Sequence, residues 1–221
     1  MYALSQVTCL LYSIDPLTRD VRTIGHIEHS GNDMSGLAFN AEADALYSVV
    51  NRFDPSFSSL SSELVKVPLN AGRVEIVGTI ANGFCESLAW RSSDGHFDAY
   101  VVYGSGAWDS PHKSSLVRID PFTAAMTAYF KTEYHTIAGL ARRPGKDAYF
   151  SWVNGESHFY AEVDLASKTI IPRGSSDKVG VVSGAMLLRD FYVAPAPNLP
   201  CTQGLDARNA SAPSGLRIDP A

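Results

Sequence analysis

Short runs in which apolar and polar residues alternate recur along the chain, set apart by polar turns. Four of them open on small residues and continue into hydrophobic ones: Ser35-Gly36-Leu37-Ala38-Phe39, Glu86-Ser87-Leu88-Ala89-Trp90, Ala138-Gly139-Leu140-Ala141-Arg142 and Ser183-Gly184-Ala185-Met186-Leu187. Each is followed, after a turn containing Asp44, Asp98, Asp147 or Asp190, by a run with a tyrosine: Leu46-Tyr47-Ser48-Val49-Val50, Ala99-Tyr100-Val101-Val102-Tyr103, Ala148-Tyr149-Phe150-Ser151-Trp152 and Phe191-Tyr192-Val193-Ala194. Alternation with β-branched and aromatic enrichment predicts strands; a helical period of 3.6 is absent.

Two further runs complete each unit. A third is seen in Leu11-Tyr12-Ser13-Ile14-Asp15-Pro16, Leu64 to Pro68, Leu116 to Pro121, Tyr160 to Asp164 and Leu216 to Pro220; a fourth spans Val21 to Ile27, Val74 to Ile80, Met126 to Lys131 and Thr169 to Ile171. The opening residues Met1 to Ser5 match the second run with nothing before it. From Gly36 to Ser87 is 51 residues, from Ser87 to Gly139 is 52 and from Gly139 to Gly184 is 45. Four short strands repeated at this period predict an all-β fold, a β-propeller of four-stranded antiparallel blades. Labelling the strands a to d, the chain runs b-c-d, three complete blades, then a-b and a late c. The expected ring has five blades with incomplete terminal ones, or, as the alternative, four blades. Residues 1–221 form one domain in this reading, with 195–214 as an irregular Pro- and Ser-rich arm within it.

The units Leu11 to Pro16, Ser35 to Phe39 and Leu46-Tyr47 resemble the "LYxIDPxTG…SGLAFxP…LY" repeats of bacterial propeller families, including lactonase-like and SMP-30-like propellers. That resemblance covers nearly the whole chain and carries a repeat grammar shared by enzymes and non-enzymes.

Because the strands of a blade alternate in direction, the b–c and d–a links emerge on one face. The a–b and c–d links are brief hairpins with ordinary turn chemistry. The b–c links are long: 51–62, 104–114, 154–159 and 195–215. Long connections on a rigid ring are where binding residues concentrate. Five of the six histidines fall on this side and only His96 on the other. Phe53, Phe57, Trp108, His112, His135 and His158 are the expected ligand contacts, since aromatics held on such a face serve as anchors for a small molecule, glycan or protein. Glu86, Asp33, Asn51 and Asn154 are the oxygen donors that would hold a divalent cation such as calcium at the channel mouth. The SMP-30-like resemblance implies that such a cation polarises an ester carbonyl and activates water, although the chain lacks the N-G-L form of the strand-a motif.

Charge and cysteine content narrow the classes. With 18 basic and 23 acidic residues, net −5, nothing favours nucleic acid or an anionic membrane. No run reaches the length of a membrane span, and no charged and apolar leader precedes the first strand, so a cytoplasmic location is expected if Met1 is the native start. Three cysteines, Cys9, Cys85 and Cys201, without C-x-x-C spacing read as buried free thiols. No G-x-S-x-G elbow, H-E-x-x-H helix or P-loop is present. The sequence thus predicts a ligand- or partner-binding, scaffolding propeller. The alternatives are a metal-dependent hydrolase or lactonase, and a structural part of a larger propeller or a homo-oligomer joined through incomplete end blades.

Overall fold

In the computed structural model we describe residues 1–5, 8–15, 17–53, 60–81, 83–103, 113–132, 136–143, 146–154 and 159–175. They form sixteen strands in four sheets, with no helix among the described residues. The first sheet holds β1 (Tyr2–Leu4), β2 (Leu10–Ile14), β3 (Val21–Glu28) and β7 (Gly72–Arg73). The second holds β4 (Asp33–Asn40), β5 (Ala45–Phe53), β6 (Leu60–Val67) and β8 (Glu75–Ala81). The third runs β9 (Phe84–Arg91), β10 (His96–Tyr103), β11 (Lys113–Ile119) and β12 (Met126–Thr132), and the fourth β13 (Thr136–Arg142), β14 (Ala148–Asn154), β15 (Phe159–Asp164) and β16 (Thr169–Ser175). Sheets two to four are antiparallel meanders in chain order, the expected blades. The first sheet begins with a strand of type b, as expected, and β7 joins its outer edge in parallel through Ile27↔Gly72 and Glu28↔Arg73. That addition, unforeseen in the sequence, staples the c–d hairpin of the second blade to the first. The strands expected between residues 183 and 218 lie outside the described residues, as does the arm at 195–214.

Strands β4, β9 and β13 pack side by side as the innermost strands. The second strand of each inner blade is buried along both faces, and alternation divides its side chains between two neighbours. Leu46 and Val50 join Leu11, Ile27 and Met34 against the first blade, whereas Tyr47 and Val49 meet Phe97, Ala99 and Val101 of the third. Tyr100 and Val102 point on to Leu140, Tyr149 and Val153 of the fourth. This explains why the b runs read as nearly continuous apolar sequence. Tyr47 and Trp90 both pack on Phe97, at ring-centroid distances of 4.9 Å.

Each strand a carries a bulge that turns it toward the centre. In the second and fourth blades the extra residue is a glycine with positive φ, Gly36 at 62° and Gly139 at 69°. A Cβ on Gly36 would lie 2.7 Å from the Leu88 nitrogen, so the approach of β4 to β9 itself requires glycine. The third blade has Glu86-Ser87 here, and its bulge falls on Glu86 without positive φ.

The Asp-Pro pattern also has a local cause. Asp15, Asp120 and Asp164 each accept hydrogen bonds from the backbone N–H groups two and three residues on, at 2.8 to 3.2 Å. These donors hold all three carboxyls below the usual range. The turn closes on a left-handed residue four places after each aspartate, Arg19, Ala124 or Lys168. In two of these turns the residue after proline projects into solvent: Leu17 is 90% exposed and Phe122 81%.

Three sequence expectations change. The β9–β10 hairpin closes over Ser92 to Gly95, so Asp98 lies within β10 and is fully buried, not in the turn. Register places Leu37 opposite Ser48, Leu88 opposite Ala99 and Leu140 opposite Ser151, so Tyr47 corresponds to Asp98 and Phe150, and the three tyrosines are not equivalent. Of the cysteines, Cys85 is a buried free thiol, but Cys9 is disulfide-bonded, its partner lying outside the described residues.

Candidate functional site

The loop-rich face is best described where the second blade meets the third. Here β5 ends in Asn51-Arg52-Phe53, and β9 begins with Phe84-Cys85-Glu86. Asn51 is fully buried and its carboxamide bridges the blades. Its Nδ2 donates to the Cys85 carbonyl at 2.9 Å and to Ser35 Oγ at 2.8 Å. Its Oδ1 accepts from the Cys85 N–H at 3.0 Å and from Ser62 Oγ at 2.6 Å. The side chain thus pairs with both backbone groups of Cys85 as a neighbouring strand would. Ser35 Oγ adds a 2.5 Å bond to the Cys85 carbonyl, and Ser62 Oγ lies 2.7 Å from the Gly83 carbonyl.

Above this brace the face becomes half-exposed. Phe53 and Phe84, from adjacent blades, stand 6.2 Å apart between ring centroids. The Phe53 N–H donates to Asn32 Oδ1 at 2.9 Å. Arg52 donates to the Ser30 carbonyl at 2.8 Å, to Ser30 Oγ at 2.7 Å and to Glu63 Oε2 at 2.9 Å, which fixes a guanidinium that remains about a third exposed. His29 Nδ1 accepts from the Gly31 N–H at 3.3 Å, leaving Nε2 facing Cys9 Sγ at 3.3 Å; burial holds its pKa below the usual value. Asp33, the first residue of β4, is raised above the ordinary carboxylate range by burial, an effect tempered by the neighbouring Asn51 carboxamide and the Met34 N–H.

One blade further on, Tyr100 donates to Ser114 Oγ and shares a 2.9 Å hydrogen bond with Thr132 Oγ1. Burial pushes the phenol up to about 12; the two hydroxyls temper that rise and the nearby Glu86 carboxylate reinforces it. Burial likewise pushes the Cys85 thiol up to about 12.

Among the expected contacts, Phe53 lies at the blade junction, while Phe57, Trp108, His112, His135 and His158 lie outside the described residues. Asp33, Asn51 and Glu86 share this face; Asn154 closes β14 at the position equivalent to Asn51, its side chain outside description. Both Oδ1 lone pairs of Asn51 are engaged inside the fold, which leaves that residue no free oxygen to offer the expected cation set. No group of three His, Cys, Asp or Glu residues is arranged for a metal among the described residues.

Sequence reasoning missed a buried polar network at the opposite end of the same sheets. Tyr149 donates to Asp98 Oδ2 at 2.5 Å, His96 Nε2 lies 3.1 Å from Asp98 Oδ1, and Arg91 approaches Asp98 at 3.7 Å and Asp147 at 2.6 Å. Burial alone would lower the Arg91 pKa, but Asp98, Asp147 and Asp94 together raise it. Burial and the adjacent Asp98 carboxylate push the Tyr149 phenol far up. The signal was available: Asp98 interrupts an otherwise apolar run, and a buried carboxylate requires partners.

No protein-family model matches the sequence, and a search of curated proteins finds no match. Similar solved structures include a nidogen/laminin complex (TM-score 0.54, 12% identity, 83% of this chain and 64% of that one). They also include TolB from Acinetobacter baumannii (0.47, 11%, 77% and 40%) and an oligogalacturonate lyase in complex with manganese (0.44, 12%, 75% and 47%). The chain therefore spans less than two thirds of each of these three structures. At such identities the likeness concerns the fold: this is an all-β chain with a β-propeller fold. It does not single out the lactonase-like or SMP-30-like kind.

Proposed function

We propose that this chain is a partner-binding propeller whose contact surface is the loop-rich face around the junction of the second and third blades. The observation supporting this reading is the half-exposed Phe53–Phe84 pair across the blade junction, with Arg52, the preceding residue of β5, held by Ser30 and Glu63 on the other side of that strand. Aromatic and arginine side chains are enriched in binding hot spots, and a side chain ordered before contact loses less entropy on binding. The chemistry favours a protein segment that offers an apolar side chain to the two rings and a hydrogen-bond acceptor to Arg52. A glycan or small molecule meets the same groups less fully.

A second surface has one specific observation in its favour. Leu17 and Phe122 stand exposed on equivalent c–d hairpins of the other face, and exposed apolar tips are candidate contacts. The metal-dependent hydrolase reading has less support, since Asn51 braces the blades instead of offering a free oxygen.

Panning a peptide display library on the immobilised full chain separates these readings. Peptides enriched on wild type should bind Leu17→Ser/Phe122→Ser unchanged and lose at least about tenfold on Phe53→Ala/Phe84→Ala, a loss of about 1.4 kcal/mol. Loss on the hairpin variant alone would move the site to the other face. No enrichment above a blank surface would refute the reading.

A further inference from the structure

The tip of β5 offers a different chemistry to each of the two seams it separates. Strand alternation puts Leu46, Val50 and Arg52 on the side of β5 that faces the first blade, and sends Phe53 to the other side, where it meets Phe84 of the third. Register sets Glu63 directly opposite Val50 and so diagonally across from Arg52. The seam between the first two blades is therefore apolar through Leu11, Ile27, Val50 and Val65 and becomes charged at its mouth, where Arg52 and Glu63 stand beside Ser30.

This mouth is ordered from both sides. The Asn32 N–H donates to the Asn51 carbonyl at 2.9 Å, and Asn32 Oδ1 accepts from the Phe53 N–H at 2.9 Å, so the link between β3 and β4 holds the end of β5 before and after Arg52. Arg52 uses one Nη1 and both Nη2 hydrogens on the Ser30 carbonyl, Ser30 Oγ and Glu63 Oε2, which leaves its Nε–H and one Nη1–H without an acceptor among the described residues. Its side chain is 34% exposed and that of Glu63 19%. Next to it, burial and then the charges of His26 and Arg52 hold the His29 pKa below its usual value, so basic groups are already crowded here.

We propose, resting on the partner-binding reading above, that the bound segment is an acidic one: it lies across the tip of β5 with an apolar side chain on the Phe53–Phe84 side and an aspartate or glutamate on the Arg52 side. A guanidinium oriented by Ser30 before contact, with two N–H groups still open, recognises a carboxylate more strongly than a neutral acceptor. Arg52 and Phe53 leave opposite faces of one strand, so their ends lie on the order of 10 Å apart, a span that about three residues of extended chain cover. Glu63 shares the guanidinium with the incoming carboxylate and repels it, which makes this glutamate a built-in competitor that restrains affinity.

Two pools of short fluorescein-labelled peptides test this on the full chain. Both carry a central leucine, with glutamate placed in turn at each position up to three residues away, or glutamine in its place. By anisotropy at about 0.05 M salt the glutamate pool should bind wild type at least about fivefold more tightly than the glutamine pool, and the difference should shrink toward about 0.5 M. Arg52→Gln should erase the difference, whereas Glu63→Gln, which removes the competing charge and leaves Ser30 on the guanidinium, should widen it at least about twofold. Because the two variants move it in opposite directions, a loss of folding cannot imitate the result. Equal binding of both pools to wild type, lost on Phe53→Ala/Phe84→Ala, would overturn the acidic preference and leave the partner-binding reading standing. A glutamate preference that survives Arg52→Gln, or that Glu63→Gln fails to widen, would overturn the role of this mouth. Binding of neither pool would sink both.

Discussion

Replacing Asn51 distinguishes a brace from a ligand. The carboxamide makes four hydrogen bonds, and three of its partner groups keep another bond when it is removed: the Cys85 N–H lies 3.1 Å from Ser62 Oγ, the Cys85 carbonyl keeps Ser35 Oγ, and Ser62 keeps the Gly83 carbonyl. Asn51→Ala should therefore cost about 3 kcal/mol, the net worth of two or three buried hydrogen bonds plus a small cavity. For a domain of this size that corresponds to a fall in Tm of roughly 6–12 °C. Asn51→Asp is more informative. It replaces the amide donor with a second acceptor facing the Cys85 carbonyl, so the fold holds the new carboxyl in its neutral form and raises its pKa above the unfolded value. Stability from such a group is present below the unfolded pKa, about 3.9, and is lost as pH rises through the folded one. Thermal melts at pH 8 should show Asn51→Asp at least as unstable as Asn51→Ala, with the gap between them closing toward pH 5. A cation site would respond the opposite way, because an added carboxylate strengthens cation binding. Wild-type-like stability of Asn51→Asp at pH 8, or stabilisation of it by millimolar calcium, would refute the brace.

Other substitutions probe separate parts of the account. In urea unfolding, Asp98→Asn should cost about 3 kcal/mol, since it leaves Arg91 buried without its nearest fully buried carboxylate, and Tyr149→Phe about 2 kcal/mol; losses below 1 kcal/mol for Asp98→Asn would show the network to be incidental. Gly36→Ala should be clearly more damaging than Gly95→Ala: both glycines have φ near 65°, but a Cβ on Gly95 meets nothing within 4 Å. Equal melting losses in the two variants would mean that backbone conformation, and not the approach of β4 to β9, fixes the glycine. Native Cys85 should resist a thiol reagent at pH 8 until the protein unfolds, and Tyr100, pushed up to about 12, should contribute stability that is whole below pH 10 and declines as pH rises through 12. A rapid single-thiol reaction in the folded state would contradict the burial.

The blades were legible because each strand carries its own evidence. Alternation, tyrosine-rich runs and Asp-Pro turns report local geometry, and the hydrogen bonds of Asp15, Asp120 and Asp164 show why that signal is strong. Relations between blades were much harder to read. That Asn51 reaches across to Cys85 depends on a stretch of backbone thirty-four residues away, and nothing in its neighbourhood separates a brace from a cation ligand. Asp98 reads as a turn residue because polar residues usually mark turns, whereas here the hairpin closes earlier and the carboxylate goes inside with partners. The tyrosines are ambiguous for a related reason: the similar runs align on their aromatic residue, but register is set by pairing with Leu37, Leu88 and Leu140. The pairing of β7 with β3 has no sequence signature, being two residues long.

The most direct test of the binding face is amide exchange of the full chain with and without a saturating peptide selected on wild type. The account predicts added protection at residues 28–34, 51–53 and 83–86, with the hairpins at 17–20 and 121–125 unchanged. Protection confined to those hairpins, or absent from the chain altogether, would contradict it.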